Sequence, residues 1–378
     1  MNTDARPLRL AVVGVGHLGQ HHARVLAGMP GVTLVGVADA RPEQAQAIAE
    51  RFGTRAWDDY RDLLDQVDAV SIAVPTSLHR EVAGAFLDRG IATLVEKPLA
   101  ANLADAEALV ALARERNALL QVGHIERFNP ALTALEGTGL RPRYIAAERL
   151  ATYTFRSTDV GVVLDLMIHD IDLVLSMVPS AVRSVAAVGV SVFGGHEDIA
   201  NARIEFEDGC VANITASRAS HQATRKMRIY GLEGYASLDF GTKQGTLIRP
   251  SEALRRGEID LTGLDLTQAA AIKERVFGTI LKVDAIQAES REQLPLELDD
   301  FVRAVRGESR PRVTGDDALR AMRVADQVLQ SLKSHRWDGL ATDSGSSAVP
   351  DPGHALRGPI SWRLGAARQS SGSTAPRS

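Results

Sequence analysis

Between residues 8 and 122 the chain alternates short, almost unbroken apolar runs with longer stretches in which apolar residues recur every three or four positions. The apolar runs are Leu8–Val13, Val32–Ala38, Ala69–Val74, Ala92–Val95 and Leu119–Val122, and such runs mark strands buried on both faces. Helical spacing falls between them, over Pro42–Phe52 with proline at its start, His79–Arg89 and Leu103–Arg116. Strand, helix, strand in this order predicts a parallel, doubly wound sheet of Rossmann type.

After Gly123 the pattern changes. Asn129-Pro130 interrupts the chain, and from about Arg143 apolar and polar residues alternate between turn signals. Arg203–Glu207 and Cys210–Ser217 flank Asp208-Gly209, while Lys226–Tyr230 and Tyr235–Phe240 flank Gly-Leu-Glu-Gly; both patterns predict hairpins. With helices near Val163–Met177, Asp299–Val305 and Asp316–Ser334, the second region is expected to be an α+β domain with an open, mostly antiparallel sheet. The fold class is therefore α/β. Residues 1–123 form the dinucleotide-binding domain and 124–338 a substrate and oligomerisation domain, whose last helices can pack back on the first. Residues 339–378, rich in Ser, Gly, Pro and Ala without periodicity, are expected to be a disordered tail.

Composition narrows the function. Forty-three basic against forty-seven acidic residues leave a net charge of -4, with no basic excess to attract nucleic acid. A single cysteine, Cys210, rules out a disulfide framework and a Cys-rich metal site. No apolar run reaches the roughly 18 residues of a membrane helix. Asp4 and the early strand lack the pattern of a secretory signal, so a cytoplasmic enzyme is expected.

Four motifs carry candidate chemistry. Gly14-Val15-Gly16-His17-Leu18-Gly19 follows the first strand and opens a helix. Glycines there permit a tight turn and let a pyrophosphate approach the backbone at the positive helix end. Asp39, twenty residues on, closes the second strand, where a carboxylate can accept from a ribose diol; Asp39 can equally be a signal for the helix that follows. An acid there repels a 2′-phosphate and favours NAD over NADP, although Arg41 weakens that preference. Glu96-Lys97-Pro98 ends a parallel strand where ligands bind such sheets, so Lys97 can steady a substrate oxygen; the plain alternative is a surface lysine paired with Glu96. Asp165, His169 and Asp172 share one helix face at intervals of four and three. There Asp165 can orient His169 as a general base, or the imidazole can be a satisfied core histidine; a metal site is the least favoured reading and none is expected. The fourth motif, Gly123–Pro130, places His124 and Arg127 where the two domains join, either as ligand contacts or as hinge charges.

These strings, together with Pro75-Thr76 and His79, occur in the order found in the Gfo/Idh/MocA family of nicotinamide-dependent sugar and cyclitol dehydrogenases, which the chain resembles from about residue 8 to 334. The resemblance implies that Lys97, Asp165 and His169 form the catalytic group. It also implies that Gly14, Gly16, His17, Leu18, Gly19, Asp39, Pro75, Thr76, His79, Glu96 and Lys97 surround NAD, and that the sheet of the second domain makes a homodimer or homotetramer. Gly-His-Ile-Glu-Arg-Phe-Asn-Pro and Asp-Leu-Met-Ile-His-Asp-Ile-Asp resemble the branch acting on the 3-hydroxyl of UDP-N-acetylglucosamine. That branch implies a downstream aminotransferase as partner and a product feeding lipid A synthesis. Expected substrate contacts are His124, Arg127, Arg156 and Asp172, with Arg127, Arg143, Arg149 and Arg156 as a diphosphate anchor. Competing expectations are a dehydrogenase for another sugar, sugar phosphate or inositol, and an NAD-binding regulator without turnover.

Overall fold

The computed structural model describes residues 6–153, 160–193, 196–259, 276–287 and 291–335; Arg156 and the expected tail lie outside them. The first sheet contains β1 (Leu8–Val13), β2 (Val32–Ala38), β3 (Ala56–Trp57), β4 (Ala69–Ile72), β5 (Ala92–Glu96) and β6 (Leu120–Gly123). All its pairings are parallel and the order is β3-β2-β1-β4-β5-β6. The strand order reverses between β1 and β4, which opens a crevice at their carboxyl ends. Four helices alternate with these strands: α1 (Gly19–Ala27), α2 (Pro42–Phe52), α3 (His79–Asp88) and α4 (Leu103–Glu115). Strand β4 stops two residues before its apolar run does, because Ala73 and Val74 turn away to pack against Gly14.

The second sheet has β7 (Tyr144–Leu150), β8 (Val182–Val190), β9 (Ile199–Phe206), β10 (Val211–Ser217), β11 (Thr224–Gly231), β12 (Gly234–Asp239), β13 (Gln244–Pro250) and β14 (Leu281–Gln287). Its order is β14-β13-β12-β11-β7-β10-β9-β8, antiparallel except where β7 and β10 run together. The two expected hairpins are present, with Val211 opposite Glu205 and Gly231 opposite Gly234. Among the remaining helices are the short α5 (Pro130–Thr133), α6 (Ile168–Met177), the short α7 (Glu252–Arg255), α8 (Gln293–Val305) and α9 (Gly315–Ser334). None of the described helices is long and apolar enough to cross a membrane.

Helix α8 returns to the first sheet. Its Leu298, Phe301 and Val302 are buried with Leu10, Val12, Ala69 and Leu94, covering the part of that face which α1 and α2 leave bare. It begins six residues earlier than the apolar pattern suggests: Gln293 donates to Glu126 at 3.3 Å, and Leu294 packs against the core under the first sheet. Helix α9 opens with a reciprocal cap between Thr314 and Asp317 and packs on α4, α6 and β8, tying the sheets together.

Charge fastens α6 to its sheet. Arg149 of β7, 3% exposed, makes a bidentate pair with Asp170 at 2.8 and 3.0 Å and a third bond to Glu126 at 2.9 Å. Arg127 likewise clasps Asp172 at 2.7 and 3.0 Å. These fork-shaped contacts set the rotation of α6 as well as its position. Removing one partner of a buried pair strands the other charge, at a cost of about 3–5 kcal/mol. Arg149→Ala is accordingly expected to lose stability on that scale in urea unfolding, and Arg143→Ala, at an exposed site near the start of β7, to change it by less than about 0.5 kcal/mol.

Candidate active site

The crevice at the carboxyl ends of β1, β2, β4 and β5 is a cleft of about 920 Å³, within the usual range for small-ligand sites. Its floor is the glycine turn between β1 and α1. Gly14 has φ +83°, and a Cβ there would lie 2.7 Å from the backbone of Ala73 and Val74; one on Gly19 would lie 1.8 Å from the Gly14 carbonyl oxygen. Those two glycines are demanded by the protein's own packing. Gly16 is different. A Cβ on it would meet nothing nearer than Arg41 Nη2 at 3.8 Å, so its smallness leaves room for a ligand instead.

Helix α1 starts over this turn with no side-chain cap and no acidic residue in its first turn, leaving an electropositive amide end suited to phosphate. Asp39 accepts from Val15 N at 3.0 Å through one oxygen, and from Arg41 N and Nε at 3.0 and 3.2 Å through the other. It thus pins the glycine turn to β2, and the remaining lone pairs of its carboxylate still face the cleft that it lines. His17 lines the cleft too, and Leu18 and Leu78 stand at its rim 49% and 41% exposed, apolar faces for a flat ring. Room at Gly16, free amides, a carboxylate and apolar walls suit a dinucleotide.

The other expected cofactor residues occupy different positions. Pro75 lines the cleft and precedes the turn Thr76–Leu78. His79 is buried behind it, with Nδ1 2.9 Å from the Pro98 carbonyl and Nε2 3.0 Å from that of Val74, so it clips two strand ends together. Glu96 faces inward as well, meeting His22 Nε2 at 3.0 Å and the Lys97 amide at 3.1 Å, while His22 Nδ1 meets Ser71 Oγ at 2.8 Å. Nothing in the sequence separates these buried histidines from ligand-binding ones.

Lys97 and Asp165 close the inner end of the cleft. The Lys97 ammonium donates to the Asp165 carbonyl at 2.7 Å and to its Oδ1 at 3.3 Å. Asp165 therefore engages the lysine, and the expectation that it orients His169 is corrected. The cause is local: Val163–Met167 is a π-helical turn leading into α6, which changes the hydrogen-bond register and the direction of Asp165. The turn is held from outside by Glu197, whose carboxylate accepts from Val163 N at 3.1 Å and fills the space beside Gly161.

His169 is partly exposed and its Nδ1 is buried without a hydrogen-bond partner. Burial and the nearby Lys97 charge hold its pKa well below the usual imidazole range, which favours the neutral ring. His124, at the end of β6, is 1% exposed and its pKa is also lowered by burial. Arginines do not gather into an anchor as their sequence positions suggested. Arg127 is closed on Asp172, Arg149 is enclosed by carboxylates, Arg143 lies beside the carbonyl of Asp208, and Arg156 is not among the described residues. With Asp172 so engaged, Asp165, His169 and Asp172 do not converge, and among the described residues no group of His, Cys, Asp or Glu is placed to hold a metal ion.

Residues 8–124 match an oxidoreductase family with an NAD-binding Rossmann fold, and residues 147–340 match the C-terminal alpha/beta domain of the same family. The chain is 36% identical over 333 residues to UDP-N-acetylglucosamine 3-dehydrogenase of Acidithiobacillus ferrooxidans, covering 86% of this chain and 98% of that protein. It is 28% identical to scyllo-inositol 2-dehydrogenase (NAD(+)) of Bacillus subtilis, over 86% of this chain and 94% of the relative. A solved structure of the Acidithiobacillus enzyme superposes with a TM-score of 0.75 at 34% identity, covering 86% of this chain and 98% of that one.

Two outcomes follow from the site's construction. Gly16→Val should fold normally by circular dichroism yet lose NAD binding by calorimetry, because its side chain enters the cleft rather than the protein. Burial lowers the pKa of His79, His124 and His169 in the folded chain, whereas free imidazoles protonate below about pH 6.5. The unfolded chain then binds more protons, and stability falls as pH drops below that value. His124→Gln should flatten this acid-side slope by up to about 1.4 kcal/mol per pH unit in urea titrations at pH 7 and pH 5.

Proposed function

This chain belongs to the Gfo/Idh/MocA family of oxidoreductases, and from that premise we propose that it oxidises the 3-hydroxyl of UDP-N-acetylglucosamine with NAD. The observation that carries the chemistry is the placement of Lys97, held by Asp165, at the inner end of a dinucleotide-shaped cleft. The substrate rests on likeness to the Acidithiobacillus enzyme over nearly its whole length.

NAD, when bound, supplies the hydride acceptor. Gly14–Gly19 and the start of α1 would hold its pyrophosphate and Asp39 its adenosine ribose, an arrangement that would favour NAD over NADP by charge. Lys97 donates to the oxygen of the substrate and stabilises negative charge developing there. Asp165 keeps the ammonium aimed. His169, kept neutral by its surroundings, takes the hydroxyl proton. The open face of the second sheet, where Tyr144, Tyr230 and Tyr235 stack with ring centres 5.6 and 4.7 Å apart, is where two copies pair in this reading. A 3-ketone product suits amination by a following aminotransferase.

Purified protein, NAD and a panel of UDP-N-acetylglucosamine, free N-acetylglucosamine and inositols test the reading by reduced-nicotinamide absorbance. The nucleotide sugar is expected to be preferred, with deuterated borohydride labelling the product at carbon 3. A label elsewhere, or preference for an inositol, would reassign the substrate. Lys97→Ala and His169→Ala should each lower kcat by roughly 10² to 10⁴ while NAD affinity stays the same. Near-normal turnover would remove that residue from the mechanism.

A further inference from the structure

His124 is a buried imidazole that has no partner for either ring nitrogen among the described residues. Its backbone is fixed: His124 N donates to Val122 O at 2.8 Å, and its carbonyl accepts from Arg127 N at 3.0 Å. The ring sits just past the end of β6, the strand paired with β5, after which Lys97 follows, and it is 1% exposed. His169 lies across from it, the two rings perpendicular and 6.5 Å apart between centres, and His169 Nδ1 is likewise unpartnered.

This separation is too long for a direct N–H···N bond, in which the nitrogens lie about 3 Å apart. Rings with centres at this distance can share one hydrogen-bonded oxygen, which would satisfy nitrogens that otherwise have no partner. A neutral imidazole offers one donor and one acceptor, so such an oxygen can accept from one ring and donate to the other. We propose that His124 and His169 together hold a single hydroxyl oxygen between their rings, so that His124 acts through His169 by fixing its tautomer and sharing its proton. The oxygen comes either from a water molecule or from a hydroxyl of the substrate. This inference rests on the reading of His169 as proton acceptor.

The charges around the pair are consistent with that division. His169 faces Lys97 from β5, Arg149 from β7 and Arg225 from β11, all of which oppose a proton on it. His124 faces Lys97 and Arg127, but also Asp172 from α6 and Glu96 from β5, which favour one. A proton taken by His169 thus has a neighbour where it is better tolerated.

Ring nitrogen NMR of the full chain with labelled histidine tests the arrangement without any turnover. His169 is expected to show one neutral tautomer at pH 7 in the wild type and in His124→Gln, which keeps a donor and an acceptor, and a mixture of tautomers in His124→Phe. Adding UDP-N-acetylglucosamine moves the His124 signals if the substrate supplies the oxygen and leaves them in place if water does. In turnover assays His124→Phe should lower kcat by about tenfold or more with unchanged NAD affinity, and His124→Gln by less than about threefold. Identical His169 signals in wild type and His124→Phe would overturn the proposal, whatever the substrate proves to be. A wild type inactive on UDP-N-acetylglucosamine that still shows the tautomer difference would overturn only the substrate reading.

Discussion

The ammonium of Lys97 joins the two halves of the molecule. It is placed by the carboxyl end of β5 and held by two oxygens of Asp165 on the far side of the cleft. A lysine in a partly enclosed position needs such oxygens, because its charge has lost much of its water. Satisfying that need brings the π turn of the second domain against the nucleotide-binding sheet and closes the inner end of the cleft. The orientation of His169, one step further along the same helix, follows from it.

What keeps the helix from yielding is a layer of buried charge pairs beneath it. Arg149 with Asp170 and Glu126, Arg127 with Asp172, and Arg218 with Asp198 at 2.6 Å all lie in or near the second sheet. Pairs of this kind contribute little net stability compared with apolar side chains of the same size, but they tolerate few alternative geometries. Here they fix which residues of α6 point at the sheet and which at the cleft. On the other side Glu96, His22 and Ser71 form a similar chain behind Lys97. Lys97 is therefore set between two rigid polar layers while it lines a cleft open to a ligand.

The two domains contribute to the cleft in different ways. The nucleotide cleft is built from strand ends and a glycine turn, with Asp39 and Lys97 among the residues that line it. The second domain supplies His169 and the polar wall, and its Asp165 reaches across to hold Lys97.

By itself the sequence determined the order of elements and the places where strands end. Leu8–Val13, Val32–Ala38 and Pro42–Phe52 coincide with β1, β2 and α2 end to end, because periodicity and turn residues act locally. Knowing the strand ends located Gly14, Asp39 and Lys97 at one rim, since ligands meet a parallel sheet there. The partner of each charged side chain was decided only by tertiary structure. Arg127 and Arg149 look like free cations along the chain but are closed on carboxylates forty-five and twenty-one residues away, and Glu96 and His79 face inward rather than into the cleft. Asp165 serves Lys97 instead of His169 because a π turn and an α turn share one apolar pattern and differ only in hydrogen-bond register. Residue type and spacing record what a side chain can bind, and the crossing of distant elements selects what it does bind.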